Sequence, residues 1–330
     1  MKYKCVTAVQ RGGPETLQIF EKELRPPLKS EVRVQVLAAS VSLPDIEARY
    51  GHSPFPPRLP FVPGYAVTGV VEAAGPTATH VHPGDLVAAL TVYGGYSERV
   101  YVPENKLIPV PAFLDPAEVV PLILNYIVAY QCLHRTARVQ AGQKALIIGA
   151  SGGIGTAFLQ LGRLAGLTLY GLASRSKAYI VQDLGAFPVD YQSQDFTAII
   201  RQKEPAGLDV VFDGMGGDYL PRGLPLLRRG GRWVSYANPR SLRGIGQLLG
   251  RALWHNLIPG GKSIALYGTG ASYLDQRPFL EDWAALFRLL AEKKIAPVIA
   301  ARFPLLEAPQ ANALLESGGV IGNIVLINQS

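Results

Sequence analysis

Two stretches of this sequence combine residue types and spacing suited to holding a nucleotide. The first is Ala150-Ser151-Gly152-Gly153-Ile154-Gly155, which follows an apolar run and precedes apolar residues at 154, 158, 161 and 165. Steps of three and four mark one face of a helix. A strand, a glycine turn and a helix in that order let the backbone pass close to a pyrophosphate. The helix start then offers its unpaired N–H groups to the phosphates. Ser151, Gly152, Gly153 and Ile154 are the candidate contacts. The second stretch is Ser174-Arg175-Ser176-Lys177, at the end of the next predicted strand. An acid usually sits there, ~20 residues beyond the glycines, to hold the ribose 2′-hydroxyl of NAD. Here hydroxyls and two cations stand in its place, with no carboxylate before Asp183. That arrangement suits the extra phosphate of NADPH, the cofactor expected.

The elements that must position these residues alternate in the middle of the chain. Residues 144–150, 167–173, 208–212 and 232–236 read as strands, with helical patterns between them, which predicts a doubly wound parallel sheet. The first hundred residues differ. Residues 31–36 alternate polar and apolar, residues 67–73 and 86–90 read likewise, and Gly75-Pro76 and Pro83-Gly84-Asp85 punctuate them. This is a β-rich domain. After about Gly270 the rhythm changes again, to an amphipathic helix over 283–293 and a closing strand over 319–327. The α/β fold expected is therefore a Rossmann sheet (119–270) inserted into a β-rich domain (1–118 plus 271–330).

Composition removes several classes. The chain of 330 residues is 48% hydrophobic and 17% charged, with Gly 35 and Pro 26, as turn-rich globular proteins are. No uninterrupted apolar run reaches the ~18 residues of a membrane span, and the first residues lack the apolar core of a secretory signal. Two cysteines make a disulfide framework implausible and a cytoplasmic location expected. The net charge of +7 is scattered, without a polybasic block, so no nucleic-acid partner is expected. Five histidines, at 52, 80, 82, 134 and 255, have no zinc-ligand spacing. His80 and His82 read as a surface turn, Cys132 and His134 point apart on one helix, and no metal is expected. Asp213, after an apolar strand, is read as shaping a turn.

Beyond these stretches, the chain carries Pro63-Gly64-Tyr65, Gly69-Val70-Val71, Pro83-Gly84-Asp85-Leu86-Val87, Leu124-Asn125-Tyr126, Leu184-Gly185-Ala186, Val211-Phe212-Asp213 and Gly322-Asn323-Ile324-Val325-Leu326. In order and spacing, over nearly the whole length, these resemble the zinc-free quinone oxidoreductase branch of the medium-chain dehydrogenase/reductases, the VAT-1-like group most closely. The resemblance implies a GroES-like first domain and a homodimer. It puts Ser42, Tyr65 and Leu124 where zinc-bearing relatives hold their metal. It further implies that Lys177 and Tyr191 meet the 2′-phosphate with Ser174 beside them, and that Ser235, Tyr236, Ala237, Tyr267, Gly268 and Asn323 line the nicotinamide side. This chain departs from the branch at Ser42 (usually Asn), Ser53 (often Tyr), Val128 (commonly Thr) and Asn323 (often Lys).

The activity expected is hydride transfer from NADPH to a quinone or an α,β-unsaturated carbonyl compound, across a cleft between the domains. The catalytic candidates are Asn125 and Tyr126, bonding the substrate oxygen, with Ser42 in support. The rival is a membrane-associated or lipid-handling protein of the same fold with vestigial reductase activity. Leu242, Ile245, Leu248, Leu249, Ala252 and Leu253 form one helical stripe with Arg243, Gln247 and Arg251 opposite, so peripheral membrane contact via 242–253 is its signature.

Overall fold

The computed structural model describes residues 1–52, 55–238, 241–257 and 261–328, so Ser53 lies outside the described residues. The chain separates into two compact units, Met1–Leu124 with Trp283–Ser330, and Asn125–Asp282. The expected breaks, at 118/119 and 270/271, fall earlier in the chain than these. Both observed breaks lie inside helices, Pro116–Ala137 and Arg277–Ala291, whose unbroken apolar faces conceal a change of unit from a reader of the sequence. By length and composition the first of these could cross a membrane, unlike any uninterrupted apolar run. It is mostly buried, as a core helix is.

The first unit contributes β1 (Lys2–Ala8), β2 (Leu17–Glu23), β3 (Glu31–Val41), β4 (Ala66–Ala74), β5 (Leu86–Leu90), β6 (Arg99–Pro103) and β7 (Leu107–Pro109). β1 and β2 form an antiparallel hairpin. The polar–apolar alternation of residues 31–36 becomes alternating burial along β3, where Val32, Val34 and Val36 enter the core beside Val67, Val71 and Tyr96. β3 is long enough to pair with β4 along its length and with β6 at its start.

The second unit contains β8 (Lys144–Ile148), β9 (Thr168–Ala173), β10 (Phe187–Asp190), β11 (Leu208–Asp213), β12 (Leu227–Ser235) and β13 (Ser263–Leu266). Among the described residues these form one parallel sheet in the order β10-β9-β8-β11-β12-β13. The order reverses beside β8, and at such a switch point the carboxyl ends of the strands flank a crevice. Leu146, Ile148, Leu172, Val211 and Trp233 make its core. The chain then returns to the first unit, where β14 (Ile299–Pro304) pairs with β15 (Asn323–Ile327), and β15 pairs antiparallel with β3. The last strand thus completes the β-rich sheet.

Candidate functional site

The carboxyl edge of the parallel sheet gathers most of the residues singled out from the sequence. β8 ends at Ile148, and Gly149 turns the chain with φ +78, a left-handed conformation that favours glycine. The helix Gly153–Leu164 begins directly afterwards, with Gly152 as its N-cap. Gly155 is required by close approach: a Cβ there would lie 2.2 Å from the Gly149 carbonyl oxygen. No side chain caps this helix start, so its first-turn N–H groups are presented to whatever the loop encloses. Ser151 is buried in the loop, and Gly152, Gly153 and Ile154 are half-buried.

At the end of β9, Ser174 leads into a short turn, Arg175–Lys177, and its Oγ lies 3.2 Å from Ser176 Oγ. Arg175 is exposed. Lys177 is half-buried, and that burial holds its ammonium below the usual lysine range. Tyr191 follows β10 and is exposed. Sequence reasoning missed Asp190. Pairing of β10 with β9 sets Asp190 opposite Ala173, within reach of the Arg175 backbone. Its carboxylate accepts from Ser193 Oγ at 2.5 Å, from Gln192 N at 3.0 Å and from the Arg175 amide. These bonds, the serine's first, hold it below the usual aspartate range. Asp190 belongs to β10, not β9, so only strand pairing brings it to this edge.

Past β12 and β13 the edge is formed by Ser235, Tyr236, Ala237, Tyr267 and Gly268. Tyr236 is half-buried. Its ring packs 5.4 Å from that of Phe158, in room made by Gly214, and its N–H donates to Asp213 O. Asp213 shapes the turn after β11, accepting from Met215 N at 2.8 Å and Gly216 N at 2.9 Å. Ser235 O accepts from Tyr267 N at 2.9 Å, and the Tyr267 hydroxyl donates to Gln131.

The catalytic candidates fare differently. Asn125 is half-buried, but Tyr126 is completely buried and its hydroxyl lies beside Gln160 of the helix Gly153–Leu164. Burial pushes that phenol far above the ordinary tyrosine range. A hydroxyl sealed there does not reach a substrate oxygen, so Tyr126 is corrected to a packing residue.

In the first unit, Ser42 is buried at the start of the helix Leu43–Tyr50, and its Oγ donates to Asp45 Oδ2 at 2.6 Å. Asp45 also accepts from Ser42 N at 2.9 Å and, through Oδ1, from Gly64 N at 2.8 Å. Asp45 is fully buried, and burial pushes its carboxyl from an ordinary 3.8 up to about 6 despite these bonds. It too was missed, although Ser42-x-x-Asp45 has the spacing of a reciprocal helix cap. Asn323, at the start of β15, donates through Nδ2 to Val298 O at 2.9 Å.

The positions implied for zinc do not fit a metal. The Ser42 hydroxyl is committed to Asp45, the Tyr65 phenol is pushed up to about 12 by burial, and Leu124 has no donor atom. Cys132 is buried, which raises its thiol, and the His134 ring lies 4.5 Å from that of Tyr130. Among the described residues, no three of His, Cys, Asp and Glu gather into a metal-binding group.

With an unbroken parallel sheet, a glycine turn at its switch point and a GroES-type partner unit, the chain belongs to the medium-chain dehydrogenase/reductases, in the quinone oxidoreductase-like branch. The family descriptions that match are "Alcohol dehydrogenase GroES-like domain" over residues 28–112 and "Zinc-binding dehydrogenase" over residues 184–326. The synaptic vesicle membrane protein VAT-1 homolog of Danio rerio is 30% identical, over 99% of this chain and 70% of its own length. A quinone oxidoreductase of Mus musculus is 28% identical, over 98% of this chain and 97% of its own. The crystal structure of the Escherichia coli quinone oxidoreductase complexed with NADPH superposes with a TM-score of 0.86 at 26% identity, covering 98% and 99% of the two chains. The chain is thus an oxidoreductase by family.

Proposed function

We propose that this protein is an NADPH-dependent, zinc-independent oxidoreductase that reduces a quinone or an α,β-unsaturated carbonyl compound. One observation carries the reading. A helix start without a side-chain cap faces a glycine turn at the carboxyl edge of the sheet, and Ser174, Arg175 and Lys177 end the next strand. The amides of Gly153 and Ile154 would hold the pyrophosphate, with Gly152, whose own N–H is bonded to Gly149 O, leaving room for its approach, and Arg175, Lys177 and Tyr191 would hold the 2′-phosphate. Asp190, kept ionised by its bonds from Ser193, Gln192 and the Arg175 amide, is a negative charge that Arg175 and Lys177 must offset where the 2′-phosphate binds. Bound NADPH supplies the hydride. The protein orients, excludes water and bonds the developing oxyanion. Asn125 is the donor proposed for that oxygen, and Ser42 is held in place by Asp45. Ser235, Tyr236, Ala237, Tyr267, Gly268 and Asn323 are proposed for the nicotinamide side. A homodimer acting on small molecules in the cytoplasm is the form proposed.

NADPH oxidation against a panel of quinones, enals and enones, with a chelator throughout, tests this. Turnover that survives chelation is expected. Loss of turnover on chelation refutes zinc independence, and equal affinity for NADH and NADPH refutes the roles given to Arg175 and Lys177.

A second reading has its own observation. The expected stripe on the helix Leu242–Asn256 is split. Ile245, Leu248 and Ala252 turn inward, while Leu242, Leu249, Leu253 and Trp254 are exposed, the last two at 64% and 69%. Exposed Leu and Trp flanked by Arg243 and Arg251 suit the surface of an anionic bilayer. Co-sedimentation with vesicles with and without anionic lipid tests it. Equal partitioning in the two refutes it.

A further inference from the structure

Tyr267 stands one residue beyond β13, its N–H bonded to the end of β12. Its hydroxyl is 2.9 Å from Gln131 Oε1, and Gln131 Nε2 is 2.9 Å from Asp282 Oδ2. Arg135, one turn along from Gln131, grips the same carboxylate in a fork: Nε donates to Oδ2 and Nη2 to Oδ1, both at 2.7 Å. The guanidinium also donates to Glu281 at 2.9 Å and to the Pro278 carbonyl at 3.2 Å. Gln131 and Asp282 are both buried.

The chemistry of these groups fixes the direction of every bond. An ionised carboxylate only accepts, so the Gln131 carboxamide must turn its NH2 towards Asp282. Its oxygen is then left facing Tyr267, and the phenol must donate to it. Arg135 makes the carboxylate's orientation rigid through two parallel charge-assisted bonds. Neither the β12–β13 ladder nor the helix Pro116–Ala137 needs the Gln131–Tyr267 bond for its own backbone pairing. What that bond does is fix the tyrosine ring at the edge of the sheet. The adjoining Gly268 is exposed, and a Cβ there would meet nothing within 4 Å.

We propose that Gln131, held by the Arg135–Asp282 pair, is a positioning residue that fixes Tyr267 and the Tyr267–Gly268 backbone to receive the nicotinamide end of the cofactor. This rests on the reading of the sheet edge as a dinucleotide site. Gln131 touches no cofactor itself and acts through Tyr267.

Binding measurements separate this role from a general structural one. Dissociation constants for NADPH and for 2′,5′-ADP, which lacks the nicotinamide half, are measured by calorimetry on the wild type, Gln131→Leu, Tyr267→Phe and the double variant. Each single change is expected to weaken NADPH by about fivefold, the worth of one neutral hydrogen bond. The double variant is expected to be no worse than Gln131→Leu alone, because both changes remove the same Gln131–Tyr267 bond. Binding of 2′,5′-ADP is expected to be unchanged. Additive losses, equal weakening of both ligands, or unchanged NADPH binding each overturn the proposal. Tyr267→Phe removes one partly buried hydroxyl, so it provides the test even where Gln131→Leu folds poorly. A wild type that binds neither ligand overturns the dinucleotide reading itself, before any variant is examined.

Discussion

Replacing Asp45 with asparagine removes a carboxyl that the fold buries at the start of the helix Leu43–Tyr50. Two amides and two hydroxyls, those of Ser42 and Tyr96, serve it, yet burial outweighs them and raises it from 3.8 to about 6. The sign follows from proton binding. Between these two values the folded protein holds a proton that the unfolded chain has released, so the folded state is favoured at the acid end of the window. The contribution is fully present below about pH 4 and is lost as pH rises through 6. At about 1.4 kcal/mol per pH unit, the window corresponds to roughly 3 kcal/mol. The asparagine side chain cannot titrate. The stability of the wild type minus that of Asp45→Asn should therefore fall by roughly 3 kcal/mol from pH 4 to pH 7, whatever fixed cost the amide introduces. Urea unfolding of both proteins at half-unit steps measures this, and taking the difference cancels every group they share. A difference that stays flat, or that grows with pH, would refute the argument. It would mean that the hydrogen bonds, not burial, govern the carboxyl.

Three further outcomes follow from the nucleotide edge and the exposed helix. Gly155→Ala forces a methyl against the Gly149 carbonyl, so a loss of about 1–3 kcal/mol in stability is expected, with NADPH binding impaired as the loop shifts; thermal unfolding and calorimetry check both. Arg175→Ala combined with Lys177→Ala should weaken NADPH at least about tenfold, as lost charge-assisted bonds do, and leave NADH nearly unchanged; parallel titrations decide it. Leu253→Ser with Trp254→Ser should lower partitioning onto anionic vesicles without altering the thermal midpoint, because both side chains are exposed.

Local pattern was enough for much of this architecture. The alternation of residues 31–36 could only be a half-buried strand, and it is one. A glycine cluster between an apolar run and a three-four repeat could scarcely be anything except a strand–turn–helix, and Gly149 and Gly155 each have a steric reason to be glycine. The same kind of pattern suggested the β-rich unit and the change of rhythm after about Gly270, and the family motifs added the GroES-like character of that unit. Such features are legible because each is set by residues a few positions apart.

What the sequence alone did not reveal depends on residues far apart in the chain. Asp190 stands beside Arg175 only because β10 lies parallel to β9, and Tyr267 meets Gln131 across 136 positions. Tyr126, an attractive donor on paper, is sealed beneath the glycine-loop helix, and the stripe on Leu242–Asn256 divides according to which side the sheet covers. Periodicity specifies which residues share a face of an element. Whether that face is covered, and which distant side chain meets it there, is decided by packing. Sequence therefore determined the elements and the nucleotide turn, and tertiary structure determined which polar groups near them are exposed, paired or buried.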